Sequence, residues 1–401
     1  MKTRNLLVAV LLIIASTNCV GNAPVTTETT TGARSSGVSS VKQFTAQSAS
    51  SKVNLNWQNP AESIKAIRIL RKTGAYSSHA TDGTTVYEGT ATSAADTSTT
   101  NYTEYYYTAY AISPSDVVSD PANDKSASCP ATLVCPSGYV LAPANKTVGV
   151  YCQFCIAAYE MRNVSSVATS QASGMAWSQW GQDPAKTNCT SLGTGYHLMT
   201  NPERLAIARD IESVASNWTG GSVGSGSISK GYQASTVYGD AWTNTGEASS
   251  SLASCLYNTA ANTCAAAGTA LYRRTLTMSN GSVIWDFIGN KAEWVDWTEN
   301  VSNVPIALSG SCDTNGTGCE FSNTVAGSTT PQSMWKPASG YNSSKGFGLY
   351  FKSAIPVSGI PATSLGNLSG GSWDKGGLYN LEFMNVDFVG PQTGFRCAYA
   401  Q

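Results

Sequence analysis

Eleven cysteines in a chain of 401 residues constrain this protein more than any other feature. They stand at 19, 129, 135, 152, 155, 189, 255, 264, 312, 319 and 397. If Cys19 serves another purpose, ten remain, an even number that suits five bridges. Cytosolic chains rarely carry so many cysteines without metal-ligand spacing, so the pattern points to an oxidising compartment. Zinc is the competing reading, because Cys152 and Cys155 form a CxxC. It finds no second CxxC, and only His79 and His197 could complete a site.

The N-terminus agrees with export. Lys2 and Arg4 precede the apolar run Leu6 to Ala15, which is too short to span a bilayer and is followed by small residues. Ser16-Thr17-Asn18-Cys19 resembles a loose lipobox, so residues 1–18 are expected to be a lipoprotein-type signal peptide and Cys19 the lipidation site. Plain secretion with cleavage after Ala23 is the alternative. Several acyl chains on one cysteine would anchor the chain to a membrane, where one would not. Residues 19–40 are rich in Ser, Thr and Gly and bury nothing, so they read as a disordered tether. Such a tether reaches on the order of 25 Å. The expected location is the bacterial envelope, as an outer-membrane or cell-surface lipoprotein.

Only 12% of residues are charged and the formal net charge is −1, which leaves no electrostatic footprint for nucleic acid. Abundant Ser, Thr, Gly and Asn with little Leu predict few long helices. Residues 41–127 read as an all-β unit. Val53-Asn54-Leu55-Asn56-Trp57 alternates with period two, Ile67 to Arg71 and Thr85-Val86-Tyr87 follow as strands, and Asp82-Gly83 marks a turn. Tyr105, Tyr107, Ala109 and Ala111 share one strand face. These strands resemble a fibronectin type III module, with Tyr105 as the tyrosine-corner residue. The expected role is that of a spacer.

Residues 128–401 read as one cysteine-rich domain. Gly195-Tyr196-His197-Leu198-Met199-Thr200-Asn201-Pro202-Glu203 leads into an amphipathic helix, with Asn201 as N-cap, Pro202 in the first turn, and Leu205, Ala208, Ile211, Ala215 and Trp218 as its buried stripe. The Gly-Ser run 220–229 is a turning loop, and Ser282 to Phe287 a strand. Between Gly370-Gly371-Ser372-Trp373 and Gly394-Phe395-Arg396-Cys397 lies a stretch of mixed charge, amide and ring with no clean period. It reads as a shaped surface loop held at both ends.

Asp286-Phe287-Ile288-Gly289-Asn290-Lys291-Ala292-Glu293-Trp294, Gly-Gly-Ser-Trp and Gly-Phe-Arg-Cys, in that order, resemble the formylglycine-generating (sulfatase-modifying factor) family over roughly residues 135–400. That resemblance implies an α+β, disulfide-rich, C-type lectin-like domain following the all-β sandwich. Family enzymes bind copper through two cysteines shortly after Gly-Gly-Ser-aromatic, since Cu(I) prefers sulfur. Here those positions hold Lys375 and Asn380, so no copper is expected and the chain leans away from being an enzyme. The resemblance further implies a structural calcium on Asp286, the carbonyls of Gly289 and Lys291, and Glu293, a set of hard oxygen donors. It implies a Cys189–Cys397 bridge. Cys255–Cys264 and Cys312–Cys319 read as local loops, and Cys135–Cys155 and Cys129–Cys152 as the pairing of the rest, although spacing alone leaves connectivity open.

Variable proteins of diversity-generating retroelements, relatives in this fold, bind ligands through the loop after Gly-Gly-Ser-Trp. By that likeness Asp374, Lys375, Tyr379, Asn380, Glu382, Asn385 and Phe388, with Trp373, form the expected contact surface for a protein or glycan on another surface. The alternatives are a copper oxidase acting on a protein cysteine, and a structural envelope or appendage component without a soluble ligand.

Overall fold

The computed structural model describes residues 37–172, 174, 176–231, 256–258, 263–265, 274–300, 306–307, 318–325, 335–352, 365–371, 376–390 and 393–401. The expected signal peptide with Cys19, most of the tether, and Cys255, Cys312, Trp373, Asp374 and Lys375 lie outside them.

Seven strands build the first half. They are β1 (Lys42–Ala49), β2 (Lys52–Gln58), β3 (Ala66–Lys72), β4 (Thr84–Gly89), β5 (Ser93–Asp96), β6 (Tyr105–Ile112) and β7 (Ala122–Ser126). One sheet has the order β1-β2-β5 and the other β4-β3-β6-β7, all antiparallel. The period-two pattern drives this arrangement. Val53, Leu55 and Trp57 point inward from one sheet and meet Ile67, Ile69, Tyr105, Tyr107, Ala109 and Ala111 from the other. The Tyr105 hydroxyl accepts a hydrogen bond from the Thr100 backbone N–H at 3.2 Å, closing the tyrosine corner of a fibronectin type III-like sandwich.

The second half mixes helix and sheet. A four-stranded sheet with order β12-β24-β9-β8 joins β8 (Tyr139–Ala142) and β9 (Phe154–Ala157) to β12 (Tyr196–Leu198) and the terminal β24 (Cys397–Tyr399). Between them in sequence come the hairpin β10 (Met161–Val164) and β11 (Val167–Ser170), helix α1 (Gln182–Thr190) and helix α2 (Asn201–Ser213). Three short ribbons pair β13 (Leu256–Asn258) with β14 (Thr263–Ala265), β15 (Thr275–Thr277) with β16 (Val283–Trp285), and β18 (Ile306–Ala307) with β19 (Thr324–Val325). The largest sheet has the order β20-β22-β21-β17-β23. It is formed by β17 (Ala292–Glu299), β20 (Tyr350–Lys352), β21 (Leu365–Ser369), β22 (Leu381–Asn385) and β23 (Thr393–Phe395).

Among the described residues this half is stapled by the bridges Cys129–Cys152, Cys135–Cys155 and Cys189–Cys397, the pairs that the sequence led us to expect. Cys319 is disulfide-bonded too, and its expected partner Cys312 lies outside the described residues. The Cys189–Cys397 bridge ties the end of α1 to the terminal strand, inside a core that holds Trp294, Leu368 and Phe395. No helix among the described residues is long and apolar enough to cross a membrane.

Three local readings are corrected. The cap of α2 is Thr200, not Asn201. The Thr200 hydroxyl accepts from the Glu203 N–H while the Glu203 carboxylate accepts from the Thr200 N–H, a reciprocal box that moves the start one residue earlier. The buried stripe stops at Ile211: Ala215 lies exposed in a 3-10 turn, and Trp218 reaches the core from beyond the helix. The third concerns the C-terminal stretch. Residues Leu381–Asn385 are not a surface loop but β22, hydrogen-bonded on both sides by β20 and β21. The glycine pair before it has a plain cause, since Gly370 and Gly371 turn the chain out of β21 with φ of +83° and +72°.

Candidate functional site

The expected contact surface divides on inspection. Tyr379, Asn380 and Asn385 are 4%, 2% and 5% exposed, too buried to meet a ligand. Tyr379 stacks on Phe347 and donates its hydroxyl to Glu212 at 2.7 Å. The Asn380 amide oxygen accepts from the Leu349 N–H at 3.1 Å, and that of Asn385 from the Asp387 N–H at 2.9 Å. These side chains hold the backbone of β22 and its turns. Glu382 and Phe388 remain partly accessible, and Asp374 and Lys375 fall outside the described residues.

The expected calcium ligands are brought into one buried region, but with counter-ions that the sequence did not reveal. Asp286 receives Arg274 through Nε at 2.7 Å and through Nη2, in a pair that is wholly buried. Glu293 Oε1 receives Arg396 Nε at 3.0 Å and Nη2 at 2.6 Å. Arg396 also donates to the carbonyls of Ala157 and Trp285, so the arginine of Gly-Phe-Arg-Cys is a structural tie. Glu160 accepts from the Lys291 N–H at 3.1 Å and from the Asn290 amide, with Arg162 at 3.7 Å. Lys291 itself is buried. A divalent cation here would add charge to a cluster whose carboxylates already face guanidinium groups. Asp286 is thus taken up by Arg274, whereas Glu293 Oε2 and the Asn290 amide oxygen are buried with no hydrogen-bond partner among the described residues. Among the described residues no group of three or more acidic, His or Cys side chains is placed to hold a metal.

A different concavity lies where the sandwich meets the second half. The seam is built by backbone: Ser51 N–H donates to the Cys129 carbonyl at 2.7 Å, Cys129 N–H to Ala49 at 3.0 Å, and Tyr102 N–H to Ser128 at 2.9 Å. Lys146 crosses it to Asp124 at 2.6 Å and to the Ala46 carbonyl at 2.8 Å. The Tyr151 hydroxyl donates to Glu104 at 2.6 Å. The Cys129–Cys152 bridge locks the same place. These links leave a cavity of about 480 Å³, in the range of small-ligand sites. Tyr102, Tyr151 and Phe154 supply rings to it, and His197, Glu203 and Asp296 its titratable groups. Tyr102 is held at φ +60°, a conformation that a bulky residue adopts only when its surroundings impose it.

The electrostatics of that wall are internally balanced. His197 Nε2 lies 2.8 Å from Glu203 Oε1, and Nδ1 lies 3.1 Å from the Gly195 carbonyl. With an acceptor at each ring nitrogen the imidazolium is favoured. Burial alone pulls its pKa down, but the charge and hydrogen bond of Glu203, with the Gly195 carbonyl, raise it to about 9. Burial raises the Glu203 pKa while His197 and Thr200 lower it further, so the carboxylate stays ionised. Asp296 pairs with Lys186 at 2.8 Å and keeps its side chain 40% exposed at the mouth. What this arrangement offers a ligand is flat ring surface, one accessible carboxylate and no net field. The sequence reading places His197 at the entry to the helix, as found. It missed the cavity, whose walls come from positions scattered between 102 and 400.

Searches against family models and against curated proteins matched nothing. Solved structures similar to part of the chain include a Fn3-like protein from Clostridium thermocellum, 24% identical over 25% of this chain and 100% of its own, with a TM-score of 0.20. A fibronectin type III domain derived from the human KIAA0970 protein is 15% identical over 31% of this chain and 99% of its own, with a TM-score of 0.22. The sixth such domain of human fibronectin type III domain containing protein 3 is 19% identical over 26% of this chain and 96% of its own, with a TM-score of 0.20.

Proposed function

We propose that this chain is a non-catalytic binding protein, displayed on the bacterial envelope by a lipid anchor and recognising a protein or glycan on another surface. The second half is, on this reading, a C-type lectin-like domain of formylglycine-generating type that lacks the oxidase chemistry. The fibronectin type III-like sandwich is both spacer and one wall of the ligand site. The observation that carries this is the junction cavity of about 480 Å³, faced by Tyr102 from the sandwich and by Tyr151, Phe154 and Asp296 from the second half. Rings give contact area at low entropy cost, and the exposed carboxylate can orient a donor on the ligand. Two facts weigh against the oxidase alternative. Asn380, at one of the two expected thiol positions, uses its amide to hold the Leu349 N–H. Cys129, Cys135, Cys152, Cys155, Cys189, Cys319 and Cys397 are held in disulfides.

The test is a protein and glycan array probed with the whole chain, followed by Tyr102→Ala and Asp296→Ala. Loss of the hits in both variants, with melting unchanged, supports the site. Binding that survives both removes it. Turnover of a cysteine peptide with copper and oxygen would replace the whole reading by the oxidase one.

A further inference from the structure

A buried cation without a counter-ion among the described residues sits between α2 and the strands of the largest sheet. Arg204, in the first turn of α2, is 3% exposed, and its guanidinium carbon lies 3.9 Å from the centre of the Phe287 ring. Nη2 donates to the Leu378 carbonyl at 3.0 Å. Nε and Nη1 have no hydrogen-bond partner among the described residues, and neither does Nε1 of the buried Trp335. Both side chains line a cavity of about 10 Å³, enough for one water-sized particle, which Asn201, Ser369, Tyr379 and Asn380 also face.

The charge around it does not balance. Burial pulls the Arg204 pKa down to about 10, so the group is still cationic at neutral pH. Glu293 opposes that shift and Arg396 adds to it, and those two are paired with each other and make no ion pair with Arg204. Tyr379 stays neutral, because burial and the Glu212 carboxylate push its pKa well up. The other buried guanidinium groups show what is missing. Arg162, Arg274 and Arg396 each lie within 3.7 Å of a carboxylate. For Arg204 there is none among the described residues. An uncompensated buried charge is far more unfavourable than a neutral donor left unpaired. A water would accept from these donors but leave the charge in place, whereas a monoatomic anion accepts from all of them and neutralises it.

We propose that this cavity is a halide site, in which one chloride is held by Arg204 Nε and Nη1 and by Trp335 Nε1. Its position gives it a structural consequence. Ser369 ends β21 and Asn380 immediately precedes β22, so the ion ties α2 to the facing ends of these two strands. The proposal stands on geometry separate from the junction cavity and does not depend on the ligand reading.

The experiment uses the whole chain and two readouts. Crystals grown with bromide in place of chloride should show an anomalous peak within hydrogen-bond reach of Arg204 and Trp335. Melting at constant ionic strength, chloride replacing gluconate, should rise by roughly 2–8 °C over about a hundredfold range of chloride. That dependence should vanish in Arg204→Met. Trp335→Phe removes one donor, keeps the ring, and should weaken the dependence several-fold, so it serves if Arg204→Met fails to fold. An ordered water without anomalous signal overturns the proposal. So does a bromide peak with equal melting in chloride and gluconate, which marks an adventitious ion only. A chloride dependence unchanged in either variant overturns it as well.

Discussion

The sandwich and the second half are stabilised by different physics. Between residues 41 and 127 there is no cysteine, and the core is an apolar face-to-face packing of Val53, Leu55, Trp57, Ile67 and Ile69. Its buried carboxylate, Asp96, is held by Arg71 at 2.8 Å, by Ser98 and by the Tyr107 hydroxyl at 3.0 Å. The second half has shorter strands and wide loops, and adds to its apolar cores the described bridges and a buried layer of ion pairs around Arg274, Arg396 and Glu160. A sheet with a clean alternation can rely on burial alone. A loop-rich domain whose elements are too small for that uses covalent and ionic ties, and each tie is a point where a single change does large damage.

The largest expected effect therefore falls in the second half. Arg396→Met strands Glu293 without its partner and should destabilise that half by about 3–5 kcal/mol. Hydrogen exchange would show protection lost in β17 and β23 but retained in β2 and β6, and loss in both halves alike would break the comparison. Next in size, Cys189→Ser with Cys397→Ser removes the bridge between α1 and the terminal strand, at about 2–5 kcal/mol, read as a lower denaturant midpoint. A reductant should likewise leave the sandwich core untouched, because residues 41–127 hold no cysteine.

The two halves should also part company in pH. His197 has a raised pKa, so its pairing with Glu203 is fully stabilising below its ordinary value of 6.5 and is lost as pH rises through about 9. In Asp96, burial raises the pKa but the Ser98 and Arg71 contacts prevail and lower it, so its contribution is present at neutral pH and lost in acid. Alkaline weakening confined to α2 and β12, with acid weakening at β5 and β6, is the expected pattern in exchange measurements at pH 9, at pH 7 and below the ordinary aspartate value of 3.8. A smaller effect sharpens the same region. Thr200→Ala removes one side of the capping box, at about 1 kcal/mol, and should shift melting by a few degrees at most.

Legibility in the sequence follows the same divide. Strands that alternate, such as Val53 to Trp57, declare their period and their buried face together. The C-terminal segment misleads because β22 is central and buried on both faces, so Leu381-Glu382-Phe383-Met384-Asn385 has no clean alternation. Its amides look like a contact surface until their backbone partners are seen. Asp286 and Glu293 have partners that the sequence does not announce. Their spacing suggests oxygen ligands for calcium, but nothing local announces that Arg274 and Arg396 will arrive to neutralise them. Of the cysteine pairs, Cys189–Cys397 was readable through the resemblance, while Cys129–Cys152 and Cys135–Cys155 were the pairing of those left over, which spacing alone leaves open. The junction cavity carries no motif at all, since Tyr102, Tyr151, His197 and Asp296 meet only after both halves fold.

The most direct measurement compares ligand binding by the whole chain with that of Tyr102→Ala and of Glu382→Ala, using the strongest array hit. The account predicts that Tyr102→Ala abolishes binding at unchanged melting temperature and that Glu382→Ala binds like the parent. Binding that survives in Tyr102→Ala and disappears in Glu382→Ala would contradict it, returning recognition to the C-terminal segment.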